Sequence, residues 1–256
     1  MRTLTFLIFL SLSLTTAAHA EVPTFEKPVV AVLQAGAKPR VGVPLALAVG
    51  ATETVAIGYT SSAPGEEPAE VVLALTVSAA DEAGITLDLA VSSASDPWRA
   101  LVGARGVLHV SARGAVESLT ITPASADLDA LRALVWLALI PYPADGLGAG
   151  ANWQTTELVH LPGRVRRSGV FRVRAIDQDS LTFDVELARQ VLDKAPGDAG
   201  ATIDSLSQLG RGTATLTRGH LFVDLAALPL ATTTKLTVSG KKQSVSSTAT
   251  LSVTHR

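Results

Sequence analysis

The sequence predicts a mainly β, antiparallel fold, in which two similar β-meander halves form a curved half-barrel or sandwich with one buried connecting helix. Three observations lead to this prediction. Hydrophobic residues make up 47% of the 256 residues, enough to bury a core. From residue 44 onward, apolar and polar side chains mostly alternate, as in antiparallel strands with one wet face. Residues 126–139 form the one strong helical segment, and it is apolar nearly all round.

Composition and charge exclude several classes of protein. The formal net charge is −2, so the chain lacks the basic character of a nucleic-acid-binding protein. The absence of cysteine excludes disulfide scaffolds, cysteine-bound zinc, iron–sulfur clusters and a thiol nucleophile. We therefore expect no nucleic-acid partner.

The first 20 residues have the pattern of a signal peptide. Arg2 supplies a positive charge, Leu4–Leu14 an apolar stretch and Ala18–Ala20 a small-x-small cleavage site. A membrane anchor is the alternative, but the apolar stretch is shorter than the roughly 20 residues that span a bilayer. We predict cleavage near Ala20, export to the periplasm or the exterior, and no transmembrane span.

An N-terminal arm or linker follows at residues 21–43. Its prolines favour an extended chain, with a short strand at Val29–Leu33. The remaining residues, 44–254, are predicted to form a single β-rich domain.

Two hairpins and a final pair of strands are the clearest elements of this domain. Apolar residues alternate over 71–77 and again over 85–91, on either side of the turn sequence Asp-Glu-Ala-Gly. The same alternation over 171–175 and 181–187 predicts a second hairpin. A C-terminal hairpin at 231–254 is predicted to complete or cover the sheet.

Four sequence matches in the same order predict an internal duplication, with halves at about 44–123 and 150–229. Their spacing changes only in loops, most of all across a long loop predicted at 188–210. The alternative is that antiparallel meanders resemble one another because they share a period of two. The matches are Gly50-Ala51 with Gly150-Ala151, ITLDLAV at 85–91 with LTFDVEL at 181–187, Arg105-Gly106 with Arg211-Gly212, and Arg113-Gly114 with Arg218-Gly219.

The connecting helix at 126–139 has Ser125 as its predicted N-cap and ends before Pro141. Because it is apolar nearly all round, we expect it to lie buried on the concave side of the sheet. The alternative is that one apolar face is held ready for a ligand or partner. Leu131 and Val135 share a face and are candidate ligand-binding residues.

The histidines show no metal-ligand spacing such as HxH or HxxxH. The mature chain has His109, His160, His220 and His255, all on predicted strands or the tail. His109 and His220 fall in corresponding hairpins, either as a pseudo-symmetric functional pair or as half-exposed strand residues. We predict no metal site from them.

Other patterns that could support chemistry are weak. Asp177-Gln178-Asp179 resembles a metal-binding motif, but no further acidic ligand completes it and aspartate is a normal turn residue. The glycine-rich segment 146–150 follows a helix and opens a strand, the reverse of a phosphate-binding loop. No serine-nucleophile motif occurs. We therefore predict no catalytic residues, metal or cofactor, and a protein that is not an enzyme.

The segment 163–174, GRVRRSGVFRVR, is strongly basic. A turn is predicted near Ser168-Gly169, with the next strand supplying counter-charge through Asp184 and Glu186. An anionic ligand site is the alternative to these cross-strand ion pairs. The arginines that share one face, and are candidate ligand-binding residues, are Arg164, Arg166, Arg172 and Arg174.

The segment 140–153, IPYPADGLGAGANW, resembles a family of exported bacterial proteins and lipoproteins of unknown function. In that family a proline, a short spacer, a glycine and a tryptophan open the second of two β-meander halves. Pro143, Gly150 and Trp153 are the matching positions. Many members carry a lipobox cysteine, which this chain lacks. The resemblance implies an envelope location and an antiparallel fold, and it implies no activity.

Three functions are compatible with these observations. The first is a non-catalytic envelope protein that binds an apolar or amphipathic, lipid-like ligand between sheet and helix. The second is a structural or protein-interaction module that contacts an envelope component through sheet edges or the arginine-rich face. The third is an enzyme, for which the sequence offers no set of candidate residues.

Overall fold

The computed structural model describes residues 24–43, 45, 47–62, 67–122, 126–161, 163–196 and 201–256. The predicted signal peptide, its cleavage site and the predicted N-cap Ser125 lie outside the described residues.

The described residues form fourteen strands, one α-helix and a short 3₁₀ helix at Asp96–Leu101. The predicted short strand, both hairpins, the helix and the C-terminal pair of strands are confirmed. The elements are β1 (Thr24–Phe25), β2 (Val29–Gln34), β3 (Thr52–Ser61), β4 (Ala69–Ala80), β5 (Gly84–Ala94), β6 (Arg105–Ser111), β7 (Val116–Thr122), α1 (Ala126–Ala138), β8 (Asn152–Leu161), β9 (Gly163–Ile176), β10 (Ser180–Val191), β11 (Ala195–Pro196), β12 (Thr202–Thr217), β13 (Leu225–Val238) and β14 (Lys241–His255).

The strands form a nearly closed antiparallel barrel. Twelve strands follow the order β1-β8-β9-β10-β12-β13-β14-β3-β4-β5-β6-β7, while β2 pairs with β8 and β11 with β12. The terminal strands of this path, β1 and β7, contact each other. The antiparallel β class is confirmed, but the sheet closes further than the predicted half-barrel or sandwich.

The C-terminal hairpin is the reason for this closure. β14 pairs with β13 on one side and with β3 on the other, with Val253 opposite Ile57. β14 therefore joins β13 to β3, the first strand of the first meander. Where β1 and β7 meet, the N-terminal arm completes the barrel, and its strands β1 and β2 both pair with β8.

One face of each long strand points into a continuous apolar interior. Side chains such as Leu73, Leu89 and Phe183 are almost completely buried there. Helix α1 lies against this inner face, since Leu131 and Val135 belong to the same buried core. Within the described residues, no helix has the length and apolar character needed to cross a bilayer.

Two details of the predicted fold are wrong. β9 runs without a turn through Ser168 and Gly169. Gly169 serves close packing there, because a Cβ at this position would overlap the ring of Phe171. The predicted long loop at 188–210 is mostly strand, because β10 extends to Val191 and β12 begins at Thr202. These two strands pair with each other as far as Val191.

The two meanders begin with matching hydrogen bonds. Gly50 donates its backbone N–H to the Val77 carbonyl at 2.8 Å, and Gly150 donates to the Val173 carbonyl at 3.2 Å. Both glycines have a positive φ, 84° and 75°. The internal duplication itself stays a prediction.

Candidate functional site

Leu131 and Val135, the candidate ligand-binding residues of α1, are both fully buried. A cavity of about 10 Å³ is lined by the neighbouring Leu137 of the helix and by residues of the sheet such as Leu187 and Leu228. That space is about the size needed for one water molecule. Ligand contact at Leu131 and Val135 stays a prediction, and it requires α1 to move.

A buried ion pair fixes the C-terminal part of α1 inside the barrel. Glu157 on β8 and Arg167 on β9 face each other in register, with side chains 4% and 2% exposed. Arg167 also donates to the backbone carbonyl of Trp136, and its guanidinium lies 4.7 Å from the centre of the Trp136 ring. The Trp136 indole N–H in turn donates to Glu157 at 3.3 Å. Burial lowers the pKa of Arg167, while Glu157 opposes that effect.

The arginine-rich face lies on the outside of the barrel, because its members alternate with inward residues of β9. Arg164 forms a two-pronged ion pair with Asp193, with both N···O distances 2.8 Å. Arg174 binds Asp184 at 2.5 Å. The Arg172 backbone faces Asp184 in register, as predicted, although the ion pair is made by Arg174.

The other members of this face also differ in their partners. Arg166 donates to the side chain of Gln190 at 2.5 Å. The predicted counter-charge Glu186 binds Arg211 of β12, with an N···O distance of 3.0 Å. Arg172 has no ion-pair partner among the described residues. The outer face is therefore largely charge-compensated, although its role in ligand binding stays a prediction.

A recess lies at one end of the barrel, here called the upper end. This is the end at which β3, β5, β8, β10 and β13 begin and β4, β9, β12 and β14 end. The recess has a volume of about 300 Å³, at the lower limit of small-molecule sites. Its apolar lining includes Val41, Val43, Leu181 and Leu216.

The polar side of the recess comes from two turns. The predicted turn at Asp177-Gln178-Asp179 connects β9 to β10, and its Asp179 carbonyl accepts the backbone N–H of Arg218 at 2.7 Å. Ser180 donates its hydroxyl to Asp177 at 3.3 Å. The exposed guanidinium of Arg218 has no hydrogen-bond partner within the described ranges. The recess therefore combines an apolar lining with an exposed guanidinium and two carboxylates.

A second polar cluster lies at the same end. The His255 Nε2 atom is 2.6 Å from Glu53 Oε1, and its Nδ1 atom is 2.8 Å from Asp224 Oδ1. The His220 Nδ1 atom lies 3.8 Å from Glu53 Oε1, and the two imidazole rings are 4.1 Å apart. We call Glu53, His220, His255 and Asp224 the rim cluster.

Burial and backbone contacts shape the rim cluster. Glu53 is only 5% exposed in its side chain and accepts the backbone N–H groups of Leu221 and Phe222, each at 3.1 Å. Burial tends to lower the pKa of His255, but its hydrogen bonds to Glu53 and Asp224 outweigh burial and raise it above the ordinary value. The cluster thus favours a charged His255 between two carboxylates.

The sequence did not reveal this cluster. His220 lies in the turn between β12 and β13 instead of on the predicted strand, and Glu53 is 202 residues from His255. No short spacing pattern links such residues. His109 does not join His220, because it lies on β6 and its Nδ1 atom is 3.0 Å from the Thr86 hydroxyl.

Comparison of the chain with protein-family models, curated proteins and solved structures found no match. The fold and the geometry of the upper end are therefore the basis for a functional proposal.

Proposed function

We propose that this chain is an exported, non-catalytic envelope protein that binds a small apolar or amphipathic, lipid-like ligand in the recess at the upper end of its barrel. The observation that carries the proposal is the recess itself, with an apolar lining, a volume of about 300 Å³ and an Arg218 guanidinium that is unpaired among the described residues. Export rests on the signal-peptide pattern of residues 1–20. An envelope location also agrees with the family resemblance of segment 140–153.

The recess suits a short apolar chain with an anionic group. Burial of a chain against Val43, Leu181 and Leu216 is favourable at about 25 cal/mol per Å² of apolar surface removed from water. The guanidinium of Arg218 is a charged donor for a carboxylate or phosphate group. Asp177 and Asp179 line the same opening, and their carboxylates repel any anionic group, so that group is favoured only in contact with the Arg218 guanidinium.

This location differs from the space between sheet and helix that the sequence first indicated. A ligand beside Leu131 and Val135 would have to displace side chains that are fully buried. A ligand in the recess requires no such movement, because the space is already open to solvent. Variants distinguish the two locations, because substitutions in α1 would abolish binding at one of them and substitutions in the recess would abolish binding at the other.

Octanoate is a suitable probe for the experiment. We expect titration calorimetry or NMR titration to show saturable octanoate binding, weakened by about 10–150-fold in Arg218→Gln, since a charge-assisted hydrogen bond contributes about 1.5–3 kcal/mol. Arg113→Gln is the matched control, because Arg113 is exposed and precedes the corresponding turn glycine of the first meander. Equal binding by wild type and Arg218→Gln, or no binding at all, would overturn the proposal.

We also infer that the two meanders arose by internal duplication, in halves at about 44–123 and 150–229. The support is the equivalent position of the turn glycines. Gly50 and Gly150 precede the first strand of each meander. When the two-residue strand β11 is left out of the count, Gly114 and Gly219 lie in the turn between the fourth and fifth strands. All four have positive φ.

A further inference from the structure

We propose that Glu53, His220 and His255 form a binding site for a divalent metal ion of the zinc class, with Asp224 as a residue that orients His255. Two histidines and one glutamate are a ligand set that zinc uses when one coordination position stays open. This site is separate from the recess at the upper end of the barrel and does not depend on the proposed function.

The three donor atoms already converge. Glu53, His220 and His255 each offer one donor atom, and these three atoms all lie within 4.8 Å of one another. A tetrahedral zinc ion with bonds of 2.0–2.2 Å separates its ligand atoms by about 3.3 Å. The observed distances from Glu53 Oε1, 3.8 Å to His220 and 2.6 Å to His255, lie on either side of that value. An ion at this position requires the Glu53–His255 distance to lengthen by about 0.7 Å and the Glu53–His220 distance to shorten by about 0.5 Å.

Asp224 is placed to orient His255 without binding the ion itself. Metal-binding histidines usually donate their second ring N–H to a carboxylate or carbonyl, which fixes the tautomer and aims the other nitrogen. Asp224 Oδ1 lies 2.8 Å from His255 Nδ1 and so leaves Nε2 directed at Glu53. Asp224 also accepts the His255 backbone N–H at 3.2 Å, which fixes the carboxylate itself.

The rim cluster is held on rigid elements. Glu53 is on β3, His255 is on β14, and these two strands are paired in the barrel. The backbone N–H groups of Leu221 and Phe222 hold both carboxylate oxygens of Glu53 and keep the turn that carries His220 next to it. The ligand atoms therefore need little ordering when an ion binds.

His220 distinguishes a metal site from a purely structural ion-pair cluster. A structural cluster is complete with Glu53, His255 and Asp224, which satisfy one another. The His220 Nδ1 atom is buried and has no hydrogen-bond partner within the described residues, although it points toward Glu53. An unsatisfied buried nitrogen destabilises the folded protein, and coordination of an ion removes that cost. His220 is also 37% exposed in its side chain, which leaves a route for the ion.

The test uses Zn²⁺ and Co²⁺ on metal-stripped protein. We expect one equivalent of Zn²⁺ by titration calorimetry, and with Co²⁺ the visible absorption bands of a four-coordinate ion. His220→Ala is the main variant, because the described residues include no hydrogen-bond partner of the His220 side chain whose loss would unfold the chain. We expect it to weaken binding by at least 100-fold and to abolish the Co²⁺ bands. Asp224→Asn is expected to weaken binding by about 10–100-fold.

His109→Ala is the matched control, since His109 is an exposed histidine on β6 away from the rim cluster. It is expected to bind one equivalent with unchanged affinity. The proposal is overturned if the wild type takes up no Zn²⁺, or if His220→Ala binds it as the wild type does. Circular dichroism of each variant checks that the barrel remains folded.

Discussion

Glu157 and Arg167 face each other across β8 and β9 and form an ion pair inside the barrel, where both side chains are almost completely buried. Through Arg167 the pair also binds the backbone carbonyl of Trp136 in α1. The helix is therefore attached to the sheet by polar contacts as well as by apolar packing. This arrangement explains how a helix can lie within the barrel in one fixed position.

Removal of one member of this pair is expected to destabilise the protein strongly. Glu157→Leu leaves the Arg167 charge buried without its counter-charge, which costs about 3–5 kcal/mol in the free energy of unfolding. Urea denaturation followed by tryptophan fluorescence measures it. The double variant Glu157→Leu/Arg167→Met is expected to recover much of the loss. Glu186→Leu is the control, because its pair with Arg211 is exposed and contributes less than about 1 kcal/mol. A cost for Glu157→Leu no larger than for this control would contradict the prediction.

Leu131 tests how tightly α1 packs against the sheet. Because Leu131 is fully buried, Leu131→Ala should lower the free energy of unfolding by about 2–5 kcal/mol. Leu209→Ala, at an outward position that is 55% exposed, should change it by no more than about 0.5 kcal/mol. Chemical denaturation compares the two. Similar small effects would show that α1 is loosely packed and would favour a ligand between helix and sheet.

Two glycines in corresponding turns are expected to respond differently to alanine. Gly219 has a φ of 85° and open space around it, so Gly219→Ala costs only the left-handed backbone conformation, about 1–2 kcal/mol. Gly114 has a φ of 79°, but a Cβ there would lie 2.5 Å from the Ile140 carbonyl oxygen. Gly114→Ala should therefore cost about 1–3 kcal/mol more. Equal melting temperatures for the two variants would contradict the close packing of the turn against residue 140.

Asp193 provides a test of the charge compensation on the outer face. Hydrogen bonds from the side chain and backbone of Arg164 lower the pKa of Asp193 from 3.8 to about 2. A lowered folded-state pKa stabilises the protein above the unfolded value, and this stabilisation is lost as the pH falls through about 2. An NMR titration should give a carboxyl pKa near 2 in the wild type.

The matching variant is Arg164→Leu, in which the Asp193 pKa should rise toward 3.8. The stability difference between variant and wild type should be present at neutral pH and should shrink as the pH approaches 2. Arg166→Leu is the control, because Arg166 binds Gln190 and not Asp193. An unchanged Asp193 titration in Arg164→Leu would show that the ion pair does not form in solution.

Local patterns in the sequence predicted the elements of the fold but not its closure. The alternation over 71–77 and 85–91 appears as β4 and β5 because side-chain period depends only on neighbouring residues. The pairing of β14 with β3 depends on residues nearly 200 positions apart, such as Val253 and Ile57, and no local pattern encodes it. The predicted turn at Gly169 is wrong because glycine serves both turns and close packing.

Local sequence patterns also predicted only some of the candidate site residues. The sequence placed the outward arginines of β9 correctly, since strand parity alone determines their face. The sequence analysis makes no prediction for Arg167, which directly precedes the predicted turn at Ser168-Gly169. The rim cluster draws Glu53, His220 and His255 from two strands and a turn, so only the folded barrel brings them together.

Native mass spectrometry of residues 21–256, purified from the exported fraction of a bacterial host, tests the binding proposal most directly. The proposal predicts a bound species that is lost on organic extraction, is replaced by octanoate on incubation, and has lower occupancy in Arg218→Gln than in Arg113→Gln. A mass equal to that of the chain alone, unchanged by incubation with octanoate, would contradict it.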